Sequence, residues 1–282
     1  MRRRISSMRH IHNLDENNKL GPSWITIGAY DGIHIGHQAL VQELVQHAHL
    51  AGDKAVVVSL FPHPAIVLGR TNPPYYLTSP EDRASLLEEL DVDVLYTYPF
   101  SREVSNYTPE QFLSSLAKGM DIRKLWVGAD FALGKDRKGS LDVLGQLGTQ
   151  FGYGMQIFQQ VKIGENFVSS STIRDCLKSG DIDRAIQMLG RNYSVRGRLA
   201  AFEETATASP ARYLLHTWSE QLLPVAGDYG CVLWLQGLDY PAIASISQQH
   251  DRTSSVISLN LLNLECVLPP GIARVEFLKR IH

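Results

Sequence analysis

The stretch at residues 27–37 reads Ile-Gly-Ala-Tyr-Asp-Gly-Ile-His-Ile-Gly-His. An apolar run at 24–27, typical of a buried strand, leads into it, and a helical pattern begins near its last residue. His34 and His37 therefore lie where a strand gives way to a helix. Helix N-termini carry partial positive charge and N–H donors without partners, so this turn favours an anion such as phosphate.

Three glycines, Gly28, Gly32 and Gly36, punctuate the same stretch. They let the backbone turn tightly and let a phosphate approach without a Cβ in the way. A His-x-Gly-His tetrapeptide alone is also compatible with a loop that carries two solvated histidines. The strand before it and the helix after it favour the phosphate-binding interpretation.

Three further segments follow in order along the chain. They read Leu-Phe-Pro-His-Pro at 60–64, Val-Gly-Ala-Asp-Phe-Ala-Leu-Gly-Lys at 127–135, and Val-Ser-Ser-Ser-Thr-Ile-Arg at 168–174. Together with the first stretch, they resemble the four ordered motifs of the bacterial FAD synthetase family, whose FMN adenylyltransferase module belongs to the HxGH nucleotidyltransferases. The resemblance covers about residues 8–200.

This resemblance implies that the chain transfers AMP from ATP to FMN, giving FAD and pyrophosphate, with Mg²⁺ accompanying ATP and no dedicated metal site. It implies catalytic roles for His34, His37 and Arg174. It implies ATP-binding roles for Gly28, Asp31, Gly36, Asp130, Ser170, Ser171 and Thr172. It implies FMN-binding roles for Pro62, His63 and Pro64.

The chemistry fits these residue types. A phosphate oxygen of FMN is already an anionic nucleophile, so catalysis reduces to alignment and charge neutralisation. Simpler roles stay open for several residues. The serines at 169–171 can cap the helix predicted at 171–179, the prolines around His63 can form a rigid turn, and Asp130 can satisfy backbone N–H groups.

Strands and helices alternate through this part of the chain, which predicts an α/β fold: a Rossmann-like, doubly wound parallel sheet. The predicted strands are 24–27, 55–60, 92–98, 125–127 and 155–158, and the predicted helices are 37–50, 80–90, 109–118 and 141–151. Ligands bind beyond the carboxyl ends of strands in such sheets. His34, His63 and Asp130 each follow a predicted strand and should meet at that edge.

The pattern changes near Tyr193 to short strands, predicted at 194–201, 230–235, 242–246, 256–262 and 273–278. These favour a small antiparallel β-barrel. The predicted domains are therefore a nucleotidyltransferase domain over residues 1–190 and a barrel over residues 191–282.

Bifunctional members of the family carry a riboflavin kinase domain at the position of this barrel. Their phosphate-binding Gly-x-Pro-Thr-Ala-Asn segment aligns with residues 209–213, Ser-Pro-Ala-Arg-Tyr, and their catalytic glutamate aligns with Ser258. A serine hydroxyl is almost fully protonated near neutral pH and does not replace a carboxylate base. The resemblance therefore implies a degenerate kinase-like barrel without riboflavin kinase activity.

Composition narrows the class of protein. The chain has 282 residues, 44% of them hydrophobic and 20% charged, with a net charge of −2, which argues against nucleic-acid or acidic-membrane partners. The basic residues 1–4 are not followed by the apolar stretch of a secretory signal. Three widely spaced cysteines, Cys176, Cys231 and Cys266, indicate reduced thiols. We therefore expect a cytoplasmic enzyme with small-molecule partners; the sequence does not predict its oligomeric state.

Two other functions remain open. One is adenylyl transfer to another phosphorylated acceptor, as in the related pantetheine-phosphate and nicotinate-mononucleotide enzymes. The other is a flavin- or nucleotide-binding regulator with impaired catalysis.

Overall fold

The computed structural model describes residues 7–17, 19–201, 212–247, 255–262 and 268–281. The basic residues 1–4 lie outside the described residues. Contacts between Cα atoms divide the chain into two units. Unit 1 comprises residues 1–71 and 81–167, and unit 2 comprises residues 72–80 and 168–282. The domain boundary between residues 190 and 191 stays a prediction.

Unit 1 contains a six-stranded sheet in the order β1-β4-β3-β2-β5-β6, and every neighbouring pair is parallel. The α/β prediction is confirmed. The strands are β1 (Arg9–Ile11), β2 (Pro22–Gly28), β3 (Lys54–Phe61), β4 (Val94–Pro99), β5 (Asp121–Gly128) and β6 (Gly154–Phe158). The helices are α1 (Ile35–Ala51), α2 (Pro64–Val67), α3 (Pro80–Glu88), α4 (Pro109–Ala117) and α5 (Leu141–Phe151).

The side chains of β3 explain why both faces of this sheet are covered. Successive residues of a strand point to opposite faces. Val56 and Val58 pack in one buried cluster with residues of α4 and α5, whereas Ala55 and Val57 pack in a second cluster with residues of α1 and α3. The sheet is therefore the middle layer between two layers of helices, as a doubly wound fold requires.

The strand order reverses at β2, because β3 lies on one side of it and β5 on the other. This reversal is the topological switch point, where ligands bind outside the carboxyl ends of the strands. The loop between β2 and α1, which contains residues 29–34, lies at this point.

The strands and helices predicted from sequence for unit 1 are present with shifted ends, and the bounds of α5 agree fully. Helix α4 begins with the predicted signals, since Thr108 caps it in a reciprocal capping box with Gln111 and Pro109 follows. Strand β1, the four-residue helix α2 and a short β-hairpin were not predicted. Strand β1 has only three residues, and the hairpin of β7 (Lys162–Ile163) and β8 (Asn166–Phe167) has two residues in each strand, too few for a period to show.

Unit 2 contains α6 (Ser170–Ser179), α7 (Ile182–Leu189) and a closed antiparallel barrel in the order β10-β13-β12-β11-β14-β9. The barrel prediction is confirmed. Its strands are β9 (Tyr193–Ala201), β10 (Arg212–Thr217), β11 (Gly227–Leu235), β12 (Leu238–Ile246), β13 (Val256–Leu261) and β14 (Gly271–Arg280). Large side chains fill its interior, among them Tyr213, Tyr229 and Phe277, each at most 2% exposed.

Strand β10 is absent from the sequence prediction, because its N-terminal residues, Arg212 and Tyr213, were assigned to the kinase-like phosphate segment. Residues 209–211 of that segment lie outside the described residues. Cys176 and Cys231 are buried free thiols, and Cys266 also lies outside the described residues. None of the helices among the described residues has the length and apolar character needed to span a membrane.

Candidate active site

The loop between β2 and α1 has an unusual backbone. Tyr30 and Ile33 adopt positive φ angles of 49° and 36°, a conformation that L-residues other than glycine rarely adopt. Both side chains are almost fully buried, at 3% and 1% exposure, and the Tyr30 hydroxyl hydrogen-bonds the Thr26 hydroxyl. Packing thus holds the loop in a costly conformation, as is common at functional sites.

His34 is the N-cap of α1, which explains why the helix begins at Ile35. Its Nδ1 accepts a hydrogen bond from the backbone N–H of His37 at 3.3 Å. A neutral imidazole with an accepting Nδ1 carries its proton on Nε2. His34 is 6% exposed, and its ring stacks on the His37 ring with centroids 3.7 Å apart. The local fold therefore fixes both imidazoles as one pair.

Two of the predicted ATP-binding glycines have a local structural role. A Cβ on Gly36 would lie 3.2 Å from the His34 ring, and a Cβ on Gly28 would lie 3.1 Å from the Tyr30 ring. Both distances are shorter than ordinary contacts between carbon atoms. The close approach of the rings to the backbone favours glycine at both positions.

His37 is a neutral imidazole in the unliganded protein. Burial lowers its pKa well below the ordinary value of 6.5, and the electrostatic influence of His34 and of Arg83 lowers this pKa further. The Tyr30 ring also contacts it, with ring centroids 4.9 Å apart. A neutral His37 ring still has one N–H group that can donate a hydrogen bond to a phosphate.

This lowered pKa predicts acid-sensitive folding. At pH values between the lowered pKa and 6.5, His37 binds a proton in the unfolded chain but not in the native protein. The free energy of unfolding is therefore highest above about pH 6.5 and decreases as the pH falls below that value. Substitution of His37 by leucine should reduce this dependence. Urea midpoints measured at about pH 7.5 and about pH 5.5 test this. His47, which is exposed further along α1, gives the control: His47→Leu should behave like wild type, and an unchanged pH dependence in His37→Leu would contradict the assignment.

The Pro-His-Pro segment follows β3 directly. His63 is the N-cap of α2, and its Nδ1 accepts from the backbone N–H of Ala65 at 3.1 Å. The segment from Pro62 to Pro64 therefore forms a rigid turn, which is one of the two roles that the sequence allowed. Asp130 follows β5; its side chain is exposed, and its carbonyl oxygen accepts from Arg137 at 2.7 Å.

The strands that carry these residues are neighbours in the sheet, since β2 pairs with both β3 and β5. The histidine pair, the Pro-His-Pro turn and Asp130 thus follow three adjacent parallel strands at one edge of unit 1. Asp31 differs from the rest because it is only 1% exposed. The ligand contacts assigned to all of these residues stay predictions.

The remaining predicted site residues belong to unit 2. Ser170, Ser171 and Thr172 form the first turn of α6, and Ser169 caps this turn by accepting from the Thr172 backbone N–H at 3.1 Å. Arg174 is 3% exposed. Its Nε donates to the Tyr75 carbonyl oxygen at 2.8 Å, and its guanidinium carbon lies 3.7 Å from the Tyr75 ring centroid. Stacking and hydrogen bonding thus fix the direction of the guanidinium within unit 2.

Arg83 was not among the site residues predicted from the sequence. This residue lies on α3, is 3% exposed and approaches the Asp31 carboxylate at 3.9 Å. One signal was available, because Arg83 precedes the buried Leu87 by four residues and so shares its face of the helix. A charged residue on the apolar face of a helix indicates a buried polar network.

A metal ion is the remaining implied component. Among the residues that the structure describes, no group of three or more His, Cys, Asp or Glu side chains is arranged to hold a metal. A magnesium ion that arrives with ATP does not need such a group, since the nucleotide phosphates supply oxygen ligands.

A parallel sheet with a paired His-x-Gly-His turn at its switch point defines an α/β nucleotidyltransferase. The family model for FAD synthetase matches residues 16–172. The bifunctional riboflavin kinase/FMN adenylyltransferase of Bacillus subtilis is 31% identical over 97% of this chain and 88% of its own length. The Escherichia coli protein of the same description is 29% identical over 85% of this chain and 77% of its own length. The chain belongs to the FAD synthetase family.

A solved structure supports the fold alone. The crystal structure of a protein described as a macrolide-efflux protein from Streptococcus pneumoniae matches 97% of this chain and 91% of its own, with a TM-score of 0.84 and 23% sequence identity. At this identity the match concerns the fold and carries no argument about activity.

Proposed function

We propose that this protein is an FMN adenylyltransferase, which transfers AMP from ATP to FMN and releases pyrophosphate. The observation that carries the proposal is the stacked pair of His34 and His37 at the start of α1, at the switch point of a sheet in a member of the FAD synthetase family. The two relatives described above carry FMN adenylyltransferase in their names, which supports the same acceptor.

The proposed reaction is a single displacement at the α-phosphorus of ATP. A phosphate oxygen of FMN forms the new P–O bond while the bond to the β-phosphate oxygen breaks, and pyrophosphate leaves with that oxygen. No proton needs to be removed from the nucleophile. Enzymatic acceleration then comes from alignment and from donors aimed at the charge that develops on the phosphoryl oxygens.

The chain's own residues supply these donors. In the proposal, the Nε2–H of His34 and an N–H of His37 donate to phosphate oxygens of ATP, supported by the positive end of the α1 dipole. Arg174 and the hydroxyls of Ser170, Ser171 and Thr172 bind the β- and γ-phosphates, since a guanidinium can hold two oxygens at once. Mg²⁺ bound to ATP neutralises part of the triphosphate charge.

The other predicted site residues complete the proposal. The Pro62-His63-Pro64 turn lies beside the phosphate of FMN, and the exposed carboxylate of Asp130 accepts from the adenosine hydroxyls. The buried carboxylate of Asp31 faces Arg83 at 3.9 Å. Its predicted ATP-binding role is therefore proposed to act through the position of the loop.

Incubation with FMN, ATP and Mg²⁺ tests the proposal. We expect FAD and pyrophosphate in equal amounts, measured by chromatography and a pyrophosphate assay. If product forms only with another phosphorylated acceptor, that acceptor and not FMN is the substrate. Binding of FMN and ATP without any product would support the regulatory alternative and overturn the enzymatic one.

We also propose that the barrel has no riboflavin kinase activity. Ser258, which aligns with the family's catalytic glutamate, lies on β13 with an exposed side chain, opposite Leu214 of β10 and Ser245 of β12. Neither paired residue is a carboxylate. Arg212, from the aligned phosphate segment, is part of a regular β-strand.

Riboflavin supplied with ATP and Mg²⁺ should therefore yield no FMN. The absence follows from the missing carboxylate base, so the same preparation should still convert added FMN to FAD. The Bacillus subtilis relative, named as a riboflavin kinase, is the positive control. Accumulation of FMN or FAD when riboflavin is the only flavin supplied would show that the barrel has riboflavin kinase activity.

A further inference from the structure

Arg83 connects three segments of unit 1. Its Nη1 donates to the Ser59 hydroxyl of β3 at 3.0 Å, and its Nη2 lies 3.9 Å from the Asp31 carboxylate in the loop before α1. Its guanidinium carbon lies 5.8 Å from the ring centroid of Phe61, at the end of β3. Helix α3, strand β3 and the histidine loop therefore meet at one buried cation.

We propose that Arg83, through Ser59 and Asp31, is a positioning residue that holds the loop carrying His34 and His37 in its reactive geometry. The proposal rests on the proposed adenylyl transfer and assigns to that site a residue outside its four sequence motifs.

Two routes link Arg83 to the loop: a chain of hydrogen bonds to the loop backbone and an attraction between charged side chains. The Ser59 hydroxyl accepts from Arg83 and donates to the carbonyl oxygen of Ala29 at 3.1 Å. The second route is the attraction between Arg83 and the carboxylate of Asp31, a residue three positions before His34. One guanidinium thus restrains the loop from both sides of Tyr30, one of its two non-glycine residues with a positive φ angle.

All three polar residues of this network are buried. Ser59, Asp31 and Arg83 are 0%, 1% and 3% exposed. A buried ion pair is commonly no better for stability than apolar residues of similar volume, yet removal of one partner alone is strongly destabilising. Stability alone is therefore a weak reason for a charged residue here, whereas fixing one loop conformation is a use that only a directional network provides.

Lysine is a poor substitute for arginine in this position. The guanidinium is planar and presents several N–H donors in a fixed fork. It can therefore contact Ser59 and Asp31 at the same time and lie over the Phe61 ring. An ammonium is a single point charge on a flexible stem. Arg83→Lys therefore preserves the charge and loses the geometry.

The same cation influences His37 electrostatically. The charged or titratable groups that face His37 are His34 and Tyr30 from its own loop and Arg83 from α3, and both His34 and Arg83 lower its pKa. This influence provides a readout that does not depend on turnover, because the ring of His37 can be titrated by NMR in the absence of substrate.

The test compares Arg83→Met and Arg83→Lys with the control Arg123→Met, whose arginine is exposed on β5 and pairs with Asp121. We expect Arg83→Met to lower kcat about 100-fold, as a misplaced catalytic group does, while the KM for FMN stays near the wild-type value. The pKa of His37 should rise in Arg83→Met. Arg83→Lys should give an intermediate kcat and a His37 pKa near that of wild type.

Folding of each variant is checked by its thermal transition. Folded Arg83→Met with unchanged kcat and unchanged His37 pKa would overturn the proposal. If Arg83→Met does not fold, Arg83→Lys decides: a reduced kcat with a native transition supports the positioning role, and full activity overturns it. If wild type makes no FAD, the proposed function fails, and the His37 pKa and loop NMR signals still decide whether Arg83 positions the pair.

Discussion

Substitution of His37 by leucine should lower the turnover of FAD synthesis about 100- to 1000-fold, the loss typical of removing one donor from a site that stabilises developing charge. His37 is stacked against His34 at the start of α1 and is neutral before ATP binds. Leucine fills a similar space without any N–H donor. Steady-state rates at saturating FMN and ATP measure the effect.

The control is His47→Leu, which changes an exposed histidine ten residues further along the same helix. It should retain wild-type turnover. A folded His37→Leu variant with wild-type turnover would remove His37 from the catalytic set. A raised KM for ATP with unchanged kcat would reassign it to ground-state binding, since only interactions that strengthen in the transition state change kcat.

Substitution of Arg174 by alanine should also lower turnover about 100- to 1000-fold, because the β- and γ-phosphates would lose a donor that binds two oxygens. Its guanidinium is held by the Tyr75 ring and carbonyl, so the unsubstituted side chain is already oriented. Arg174→Lys should recover only part of the activity, since a lysine cannot reproduce both the stacking and the fork. Initial rates over a range of ATP concentrations separate binding from turnover.

Lys178 supplies the matched control, because it is an exposed cation four residues further along α6. Lys178→Ala should leave the rate unchanged. Arg174→Ala removes the donor to the Tyr75 carbonyl, so its thermal transition is measured beside its rate. Full activity in a folded Arg174→Ala variant would contradict the role assigned to this residue.

Much of the fold was predictable because its signals are local. Helix α4 shows this best: a capping threonine, a proline at the first helical position and an acidic residue in the first turn all lie within three residues. The alternation of apolar strands with helices predicted the parallel sheet for the same reason. Strand β1 escaped prediction because three residues paired to β4, 85 residues away, show no period of their own.

The candidate site was predictable only where its residues form a motif. His34 and His37 lie on one turn, and their spacing alone brings the rings together. Arg83 depends instead on Ser59 and Asp31, which are distant in sequence and meet it only through the packing of α3 on the sheet. The support of Arg174 by Tyr75 joins residues 99 positions apart and was equally invisible in the sequence.

In the barrel, the residues that specify the fold differ from those on which kinase activity would depend. Its interior is filled by residues such as Leu233, Val275 and Phe277, which are almost fully buried. Packing of this kind specifies the barrel and says nothing about catalysis, which depends on a few functional side chains. The short strands were therefore predictable as a barrel, whereas the proposed loss of kinase activity rests on single residues such as Ser258.

Adenylyl transfer can be tested by following the phosphorus atoms of ATP into the products. The protein is incubated with FMN, Mg²⁺ and ATP labelled at either the α- or the γ-phosphorus, and the products are separated. Attack of FMN at the α-phosphorus predicts that the α label enters FAD and that the γ label appears only in pyrophosphate. Label from the γ-phosphorus in the flavin product, or no α label in it, would contradict adenylyl transfer.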